Sequence, residues 1–179
     1  EALFLAPAAT LSLAYAHLEA RRLAEAEGAL LRSQARYPDN VLNNMVLARV
    51  LIMRGKLTQA LVLLDRVQAV DTDNHRVHYY RATALMRTGA LQGAHESIDL
   101  YLSLPLEPLY QAVGWHRKGD IHVRERNWEA AIEFIAPAIE DMPMKEPPPA
   151  FTMSGVVCFT QSIVLKTFKW RTRRNSSVS

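Results

Sequence analysis

The sequence has very little cysteine and little glycine, and these scarcities exclude cross-linked and fibrous proteins. Its 179 residues include 1 Cys, 7 Gly and 9 Pro, and 49% of them are hydrophobic. The single cysteine, Cys158, cannot form an internal disulfide or a cysteine-rich zinc site, so the composition does not indicate an oxidising compartment. The same figures exclude a collagen-like chain and a wholly disordered one, and they suit one folded domain.

Motifs of known catalytic and metal-binding chemistry are also missing. His95-Glu96-Ser97-Ile98-Asp99 begins like the zinc motif H-E-x-x-H, but Asp99 stands where the second histidine should be. Gly55-Lys56 lacks the upstream glycine and the following Ser or Thr of a phosphate loop. We therefore predict no catalytic residue, no metal site and no cofactor, and a protein that is not an enzyme.

Positive charge is concentrated at the carboxyl end of the chain. Residues 1–146 hold 16 Lys and Arg against 18 Asp and Glu, a net charge of −2, whereas residues 147–179 hold 5 basic residues and no acid. A nucleic-acid interface needs basic side chains arrayed on a folded face, with aromatic residues to stack on single strands. The main body lacks that excess of positive charge, and we expect no nucleic-acid partner.

A repeat of 34 residues organises most of the chain. Aligning the sequence with itself at this offset gives four units, 7–40, 41–74, 75–108 and 112–145. Small side chains at positions 8 and 20 of each unit would let two helices approach closely, and a large aliphatic residue at position 24 would fill the space between units. These positions hold Ala14, Ala48, Ala82 and Gly119; Ala26, Ala60, Ala94 and Ala131; and Leu30, Leu64, Ile98 and Ile135.

Turn residues fall where a helical hairpin needs them. Gly55 and Gly89 occupy position 15, where glycine can end a first helix in the left-handed conformation. Asn40 and Asn74 close their units and can cap the helix that follows. Between these breaks the apolar residues follow helical spacing, and no stretch of 1–146 alternates as a strand would. The pattern predicts an all-α fold.

The recurring positions resemble the tetratricopeptide repeat family. That family has an aromatic residue at position 4, Leu at 7, Gly or Ala at 8, Ala at 20 and 27, and Pro at 32. Here Trp115 matches position 4, Leu13 and Leu47 match position 7, Ala138 matches position 27, and Pro38 and Pro143 match position 32. The resemblance covers residues 7–145 and implies a right-handed α-solenoid of helix-turn-helix repeats.

Three departures from the family pattern carry structural expectations. Arg81 and Lys118 occupy the usually apolar position 7, so each should snorkel out of the interface or pair with an acid. Leu109-Tyr110-Gln111 are extra residues between units three and four, and they should shift the angle between these units. Pro137 lies within the second helix of unit four, where it predicts a kink or an early end.

The family resemblance implies a concave groove lined by the first helix of each unit, through positions 2, 5, 9, 12 and 13. The residues carried over to a peptide-binding groove are Tyr15, Met45, Arg49, Ile52, Met53, Arg76, Tyr79, Met86, Arg87, His116 and Arg124, and Leu11, Leu18, Leu42, Asp120 and Val123 occupy further places of the same pattern. Methionine and apolar side chains offer adaptable contact area, and arginine offers forked donors for carboxylates. The matching ligand would be an acidic and apolar segment of another protein.

The carboxylate clamp of the family's chaperone-binding members is not matched. That clamp places Lys, Asn and Arg at five fixed positions over three successive repeats. Here those places include Leu11, Val46 and Val113, and at most one of the five is filled suitably in either alignment. We therefore do not expect a heat-shock chaperone as partner.

We predict a protein-interaction scaffold or adaptor that works within a multiprotein complex. Its concave face would bind an acidic and apolar peptide or a partner subunit. Two alternatives stay open: a structural subunit of a large assembly held by its repeat edges and tail, and the non-catalytic repeat region of a larger enzyme. The compartment is unknown, and the cytoplasm is favoured.

The two ends of the chain stand outside the four repeats. Residues 1–6 read like the last turn of a preceding repeat and lack the basic start and apolar length of a signal peptide. Residues 146–179 read as a Pro-rich linker and a basic tail, with no charge from Pro147 to Leu165. Prolines and polar residues leave this stretch short of the roughly 20 apolar residues of a membrane span, so membrane contact is expected, if at all, only through the tail. Helical spacing of its apolar residues favours a C-terminal capping helix, and an irregular tail is the alternative.

Overall fold

The structure is a computed structural model that describes residues 7–140, with side chains to residue 136. The described residues form eight α-helices and no strand: α1 (Pro7–Glu19), α2 (Leu23–Arg36), α3 (Val41–Met53), α4 (Leu57–Val70), α5 (His75–Thr88), α6 (Leu91–Ser103), α7 (Pro108–Arg124) and α8 (Trp128–Glu140). The predicted all-α fold is confirmed. The expectations of a preceding repeat in 1–6, and of a linker, a capping helix and a basic tail in 146–179, lie outside the described residues.

The helices are stacked as consecutive hairpins. Each odd-numbered helix packs against the even-numbered helix that follows it, and each hairpin packs against the next through α2 with α3, α4 with α5, and α6 with α7. Contacts between elements distant in sequence are otherwise confined to successive odd-numbered helices. This nearest-neighbour pattern is that of an α-solenoid, in which each repeat contacts only the repeats beside it.

The repeat positions serve as the contact points between helices. The alanines at positions 8 and 20 of the first three units are fully buried, and so are Leu30, Leu64 and Ile98 at position 24. Two core clusters result, one spread over α1 to α5 and the other over α5, α6 and α7. The prediction that small residues bring the two helices of a unit together is therefore confirmed.

The helix ends have identifiable causes. Asn40 caps α3 by accepting a hydrogen bond from the Asn43 backbone N–H at 2.8 Å, and Asn74 caps α5 by accepting one from the Arg76 N–H at 3.2 Å. Gly89 ends α5 with a left-handed backbone at φ 86°. These capping residues were predicted from the sequence.

Cations at position 7 pair with acids of the preceding unit. Arg81 on α5 pairs with Asp65 on α4, and Lys118 Nζ on α7 lies 2.7 Å from Asp99 Oδ1 on α6. Both acids occupy position 25 of their unit, so the same inter-unit contact is ionic at two successive junctions. Of the two expectations for these cations, pairing with an acid is the one observed.

The structure describes two departures from the repeat pattern at the fourth unit. The extra residues 109–111 lie within a helix, because α7 already begins at Pro108 and takes them into its first turns, and the shifted angle between units three and four stays a prediction. Proline suits this first helical position, since its fixed φ is helical and its missing N–H would have no partner there. Of the kink and the early end predicted at Pro137, the early end does not occur, because α8 continues to Glu140.

Candidate functional site: the inner face of the solenoid

The first helices of the units form a continuous row. Helix α1 contacts α3, α3 contacts α5, and α5 contacts α7, whereas across residues 7–140 no two second helices touch. When the helices of one layer are in side-by-side contact and those of the other layer are spread apart, the stack is curved. The layer in contact then lies on the inside of the curve. Helices α1, α3, α5 and α7 therefore line the inner face, and α2, α4, α6 and α8 form the outer layer.

Charge is sorted between these two layers. The first helices hold seven basic residues against two acidic ones, a net charge of +5, and the second helices hold three basic residues against eight acidic ones, a net charge of −5. Asp65 and Asp99 neutralise Arg81 and Lys118 across the layers. The nearly neutral repeat body thus has an excess of positive charge on its first helices and an excess of negative charge on its second helices.

Aromatic and arginine side chains from three helices converge on Tyr80. Tyr80 on α5 is half-buried, and the edge of its ring meets Tyr79 at a centroid distance of 5.6 Å. Burial raises the pKa of the Tyr80 hydroxyl, and the neighbouring charge of Arg49 opposes that rise while Tyr79 and Tyr15 add to it. Because Tyr15 lies on α1 and Arg49 on α3, the electrostatic surroundings of Tyr80 include groups from the first three units.

A second polar network joins α5 to α7. The Arg117 guanidinium donates to Asp120 Oδ2 at 3.0 Å and to the Tyr79 hydroxyl at 2.8 Å, and it lies 5.2 Å from the centre of the Tyr79 ring. His116 lies beside the same carboxylate, with Nδ1 at 3.5 Å from Asp120 Oδ2. Burial and the charge of Arg117 lower the pKa of His116 although Asp120 opposes the shift. The network fixes the floor of the inner face between units three and four.

The structure divides the predicted groove residues by exposure. Tyr15, Met53, Arg76, Arg87 and Arg124 are exposed, and Arg49, Tyr79 and His116 are half-buried. Met45, Ile52 and Met86 are buried in the layer between helices, so they support the fold and offer no surface to a ligand. Arg87 also has a structural role, because its guanidinium donates to the Ile52 carbonyl at the end of α3. The exposed and half-buried residues remain the candidate site.

Tyr80 and Arg117 were not among the groove residues predicted from the sequence. Both occupy position 6 of their units, which the family's groove pattern leaves out. The sorting of charge between layers was also missed, because charge was counted along the chain rather than helix by helix. The opposite charges of the two layers are visible in the aligned repeats when the first and second helices are counted separately.

The fold defines a protein built from α-helical hairpin repeats. The family model described as "Tetratricopeptide repeat" matches residues 2–41 and 45–105, which together are more than half of the chain. The chain belongs to the tetratricopeptide repeat family, as the sequence analysis expected. Members of this family act as scaffolds for protein interaction, and membership supports that general role here.

Solved structures with the same fold carry the name MamA. MamA MSR-1 aligns with a TM-score of 0.61 and 23% identity over 78% of this chain and 79% of that chain. MamA AMB-1 aligns with a TM-score of 0.60 and 24% identity over 74% and 76%, and the MamA RS-1 ArsTM double mutant with 0.62 and 18% over 75% and 74%. At this level of identity the likeness shows the fold. Comparison with curated proteins finds no match.

Within 7–140, no helix has the length and hydropathy that a span of the bilayer requires.

Proposed function

We propose that this protein is a non-catalytic scaffold that binds an acidic and apolar segment of a partner protein on its inner face. The observation that carries the proposal is the separation of charge between the layers: once Arg81 and Lys118 are paired with Asp65 and Asp99, the first helices keep a net +3 (5 − 2) and the second helices a net −3 (−5 + 2). A ligand rich in Asp and Glu is attracted to the first layer and repelled by the second, so charge favours one face of the solenoid.

Apolar side chains on the same face supply contact area. Leu42 and Met53 on α3 and Tyr15 on α1 are exposed, and they lie on the two helices that carry the least charge in this layer. Apolar anchors beside arginine side chains suit an amphipathic helix or an extended segment in which acids alternate with large aliphatic residues. The partner is thus described by its chemistry, an acidic and apolar segment.

A peptide-binding assay with layer-specific charge reversals tests this function. The probes are a set of helical peptides that combine Leu and Glu, and the same peptides with Lys in place of Glu. The inner-face variant is Arg49→Glu with Arg76→Glu. The matched control is Arg32→Glu with Arg66→Glu, which changes the net charge equally but on exposed positions of α2 and α4. Circular dichroism checks that both variants fold.

We expect the acidic peptides to bind the parent and the basic ones not to bind. The inner-face variant should weaken binding about tenfold or more, because it places acids beside the acidic ligand, and the control should change it by less than about threefold. Equal weakening by the two variants would show that net charge alone attracts the peptide, and the inner-face proposal would be wrong.

A further inference from the structure

Three potential metal ligands meet where unit three joins unit four. His95 lies on α6, His122 lies in the last turn of α7, and Glu125 is the C-cap residue directly after α7. One oxygen of the Glu125 carboxylate lies 2.8 Å from His95 Nε2, and the other lies 3.0 Å from His122 Nδ1. One ligand atom from each of the three side chains falls within 4.8 Å of the others.

The surroundings hold this group in place and leave it accessible. The His122 ring is stacked on Phe134 of α8 with the planes 9° apart, and the His95 and His122 ring centres are 4.7 Å apart. The exposed fractions of the three side chains are 18%, 15% and 30% for His95, His122 and Glu125. An ion can therefore reach the group and keep water as a further ligand.

The equivalent places at the other junctions indicate that this group is chemically distinct. Glu27 occupies the position of His95 at the first junction, and it pairs with Arg54 and Lys56. At the second junction the same positions hold Leu61, Leu85 and Thr88. Permanent cations and aliphatic side chains cannot ligate a metal. At the third junction the carboxylate instead meets two imidazoles, each of which can offer a lone pair.

We propose that His95, His122 and Glu125 form a binding site for a divalent cation of the zinc type. Two imidazole nitrogens and one carboxylate oxygen are a ligand set that Zn²⁺ accepts with a fourth position left to water. Each imidazole coordinates the ion through the ring nitrogen that faces Glu125. The proton of the neutral imidazole is then on the other ring nitrogen. Tetrahedral ligand atoms lie roughly 3.3 Å apart, so the longest separation within the group shortens around the ion, and the two distances of 2.8 and 3.0 Å between a histidine nitrogen and the Glu125 carboxylate lengthen slightly.

The bound ion would connect two repeats. His95 belongs to unit three, and His122 and Glu125 belong to unit four, so the ion bridges α6 and the end of α7. Arg124 and Arg126 flank Glu125 and reduce its attraction for a cation. We therefore expect a dissociation constant on the order of micromolar rather than the tighter binding of a site that folding depends on.

Titration of the full chain with Co²⁺ and Zn²⁺ tests the site. Co²⁺ binding is followed by visible absorption, and Zn²⁺ binding by calorimetry and by competition against the Co²⁺ signal. The test variants are His95→Gln and Glu125→Gln, which keep side-chain size and hydrogen-bonding capacity. The control is His78→Gln, which breaks the His75 and His78 pair at i, i+3 spacing on α5.

We expect one ion per parent chain, binding weakened more than about tenfold in both test variants, and unchanged binding in the control. Excess Zn²⁺ should raise the melting temperature of the parent and of His78→Gln but not of His95→Gln. Parent binding no tighter than that of the test variants would overturn the proposal. Equal weakening in His78→Gln would overturn it too, since binding would then be a property of scattered histidines.

Discussion

Gly119 occupies position 8 of the fourth unit, where the other three units carry alanine. A Cβ atom at this glycine would overlap Ile135 Cγ1 and Cδ1 and would approach the Ala131 carbonyl to 3.3 Å. Helices α7 and α8 are therefore in closer contact at this point than an alanine permits. Gly28 on α2 is different, because a Cβ there would meet only Arg32 Nη1 at 3.5 Å.

We expect opposite effects from two substitutions of glycine by alanine. Gly119→Ala should lower the free energy of unfolding by about 1 to 3 kcal/mol, because Ile135 is forced out of its packing. Gly28→Ala should raise it by about 1 kcal/mol through the higher helix propensity of alanine. Urea unfolding followed by circular dichroism measures both, and a stabilised Gly119→Ala would contradict the close approach of α7 and α8.

Glu27 is a buried acid that two cations hold in its ionised form. Burial opposes ionisation, but hydrogen bonds from Lys56 and Arg54 and their charges outweigh it and lower the pKa of the Glu27 carboxyl. A lowered folded-state pKa means that the unfolded chain binds the proton more readily. The stabilisation is thus present above the ordinary carboxyl pKa and is lost as the pH falls through the lowered value.

Glu27→Gln should therefore remove part of the acid sensitivity of folding. At about pH 7 we expect the variant to be less stable than the parent, because Arg54 and Lys56 lose their counter-charge. As the pH falls below about 4 the difference should shrink, since the parent carboxylate becomes protonated. Unfolding free energies measured along this pH series would contradict the assignment if the difference stayed constant or grew.

Single residues were predictable where the repeat shows them more than once. Alanine at positions 8 and 20 and asparagine before α3 and α5 recur at a fixed offset, so their contact and capping roles followed from the sequence. Burial of Met45, Ile52 and Met86 did not follow, because positions 5 and 12 lie at the edge between the inner face and the layer beneath it. At these positions the packing of neighbouring helices decides whether a side chain is exposed, and this packing cannot be read from the periodic sequence pattern.

At the scale of helices, the turn inside each hairpin has the same backbone conformation in all four units. Position 15 has a positive φ at Gly55 and Gly89, as predicted, and also at Arg21 and Arg126, with φ values of 56° and 61°. A residue with a Cβ atom is disfavoured in this left-handed region, whereas glycine adopts it readily. The conformation is therefore imposed by the hairpin rather than by glycine itself.

Arg126→Gly should stabilise the hairpin of α7 and α8. The free energy gained by relieving the left-handed strain exceeds the entropic cost of ordering a glycine on folding. We therefore expect the free energy of unfolding to rise by about 1 kcal/mol. Arg126→Ala is the control and should bring no gain, because alanine keeps the Cβ atom. Thermal unfolding of the two variants separates these cases, and equal melting temperatures would contradict the argument.

Helix boundaries were less predictable than helix identity. Repeat length alone placed 109–111 between units, yet the chain uses Pro108 to begin α7 early and extends that helix to 17 residues. Helix α8 likewise passes Pro137. A proline can start, interrupt or be accommodated in a helix depending on the carbonyl groups around it, and those depend on tertiary contacts.

At the scale of the whole molecule, the proposed function depends on how charge is divided between layers. Charge counted along the sequence assigned a net −2 to residues 1–146 and indicated no particular face. The fold assigns those charges to two layers of opposite sign, because first and second helices alternate along the chain. The family and the all-α fold were accessible from the 34-residue period, whereas the His95, His122 and Glu125 group required the packing of α6 on α7.

Photo-crosslinking at two matched positions tests most directly whether the ligand lies on the inner face. Leu42 on α3 and Val62 on α4 are both apolar and are 56% and 51% exposed, but they belong to opposite layers. A photo-reactive residue is placed at one or the other, and the chain is irradiated with a labelled peptide of Leu and Glu. We predict efficient crosslinking from position 42, lost on adding Arg49→Glu with Arg76→Glu, and little from position 62. Equal yields from both positions, or a higher yield from position 62, would contradict binding on the inner face.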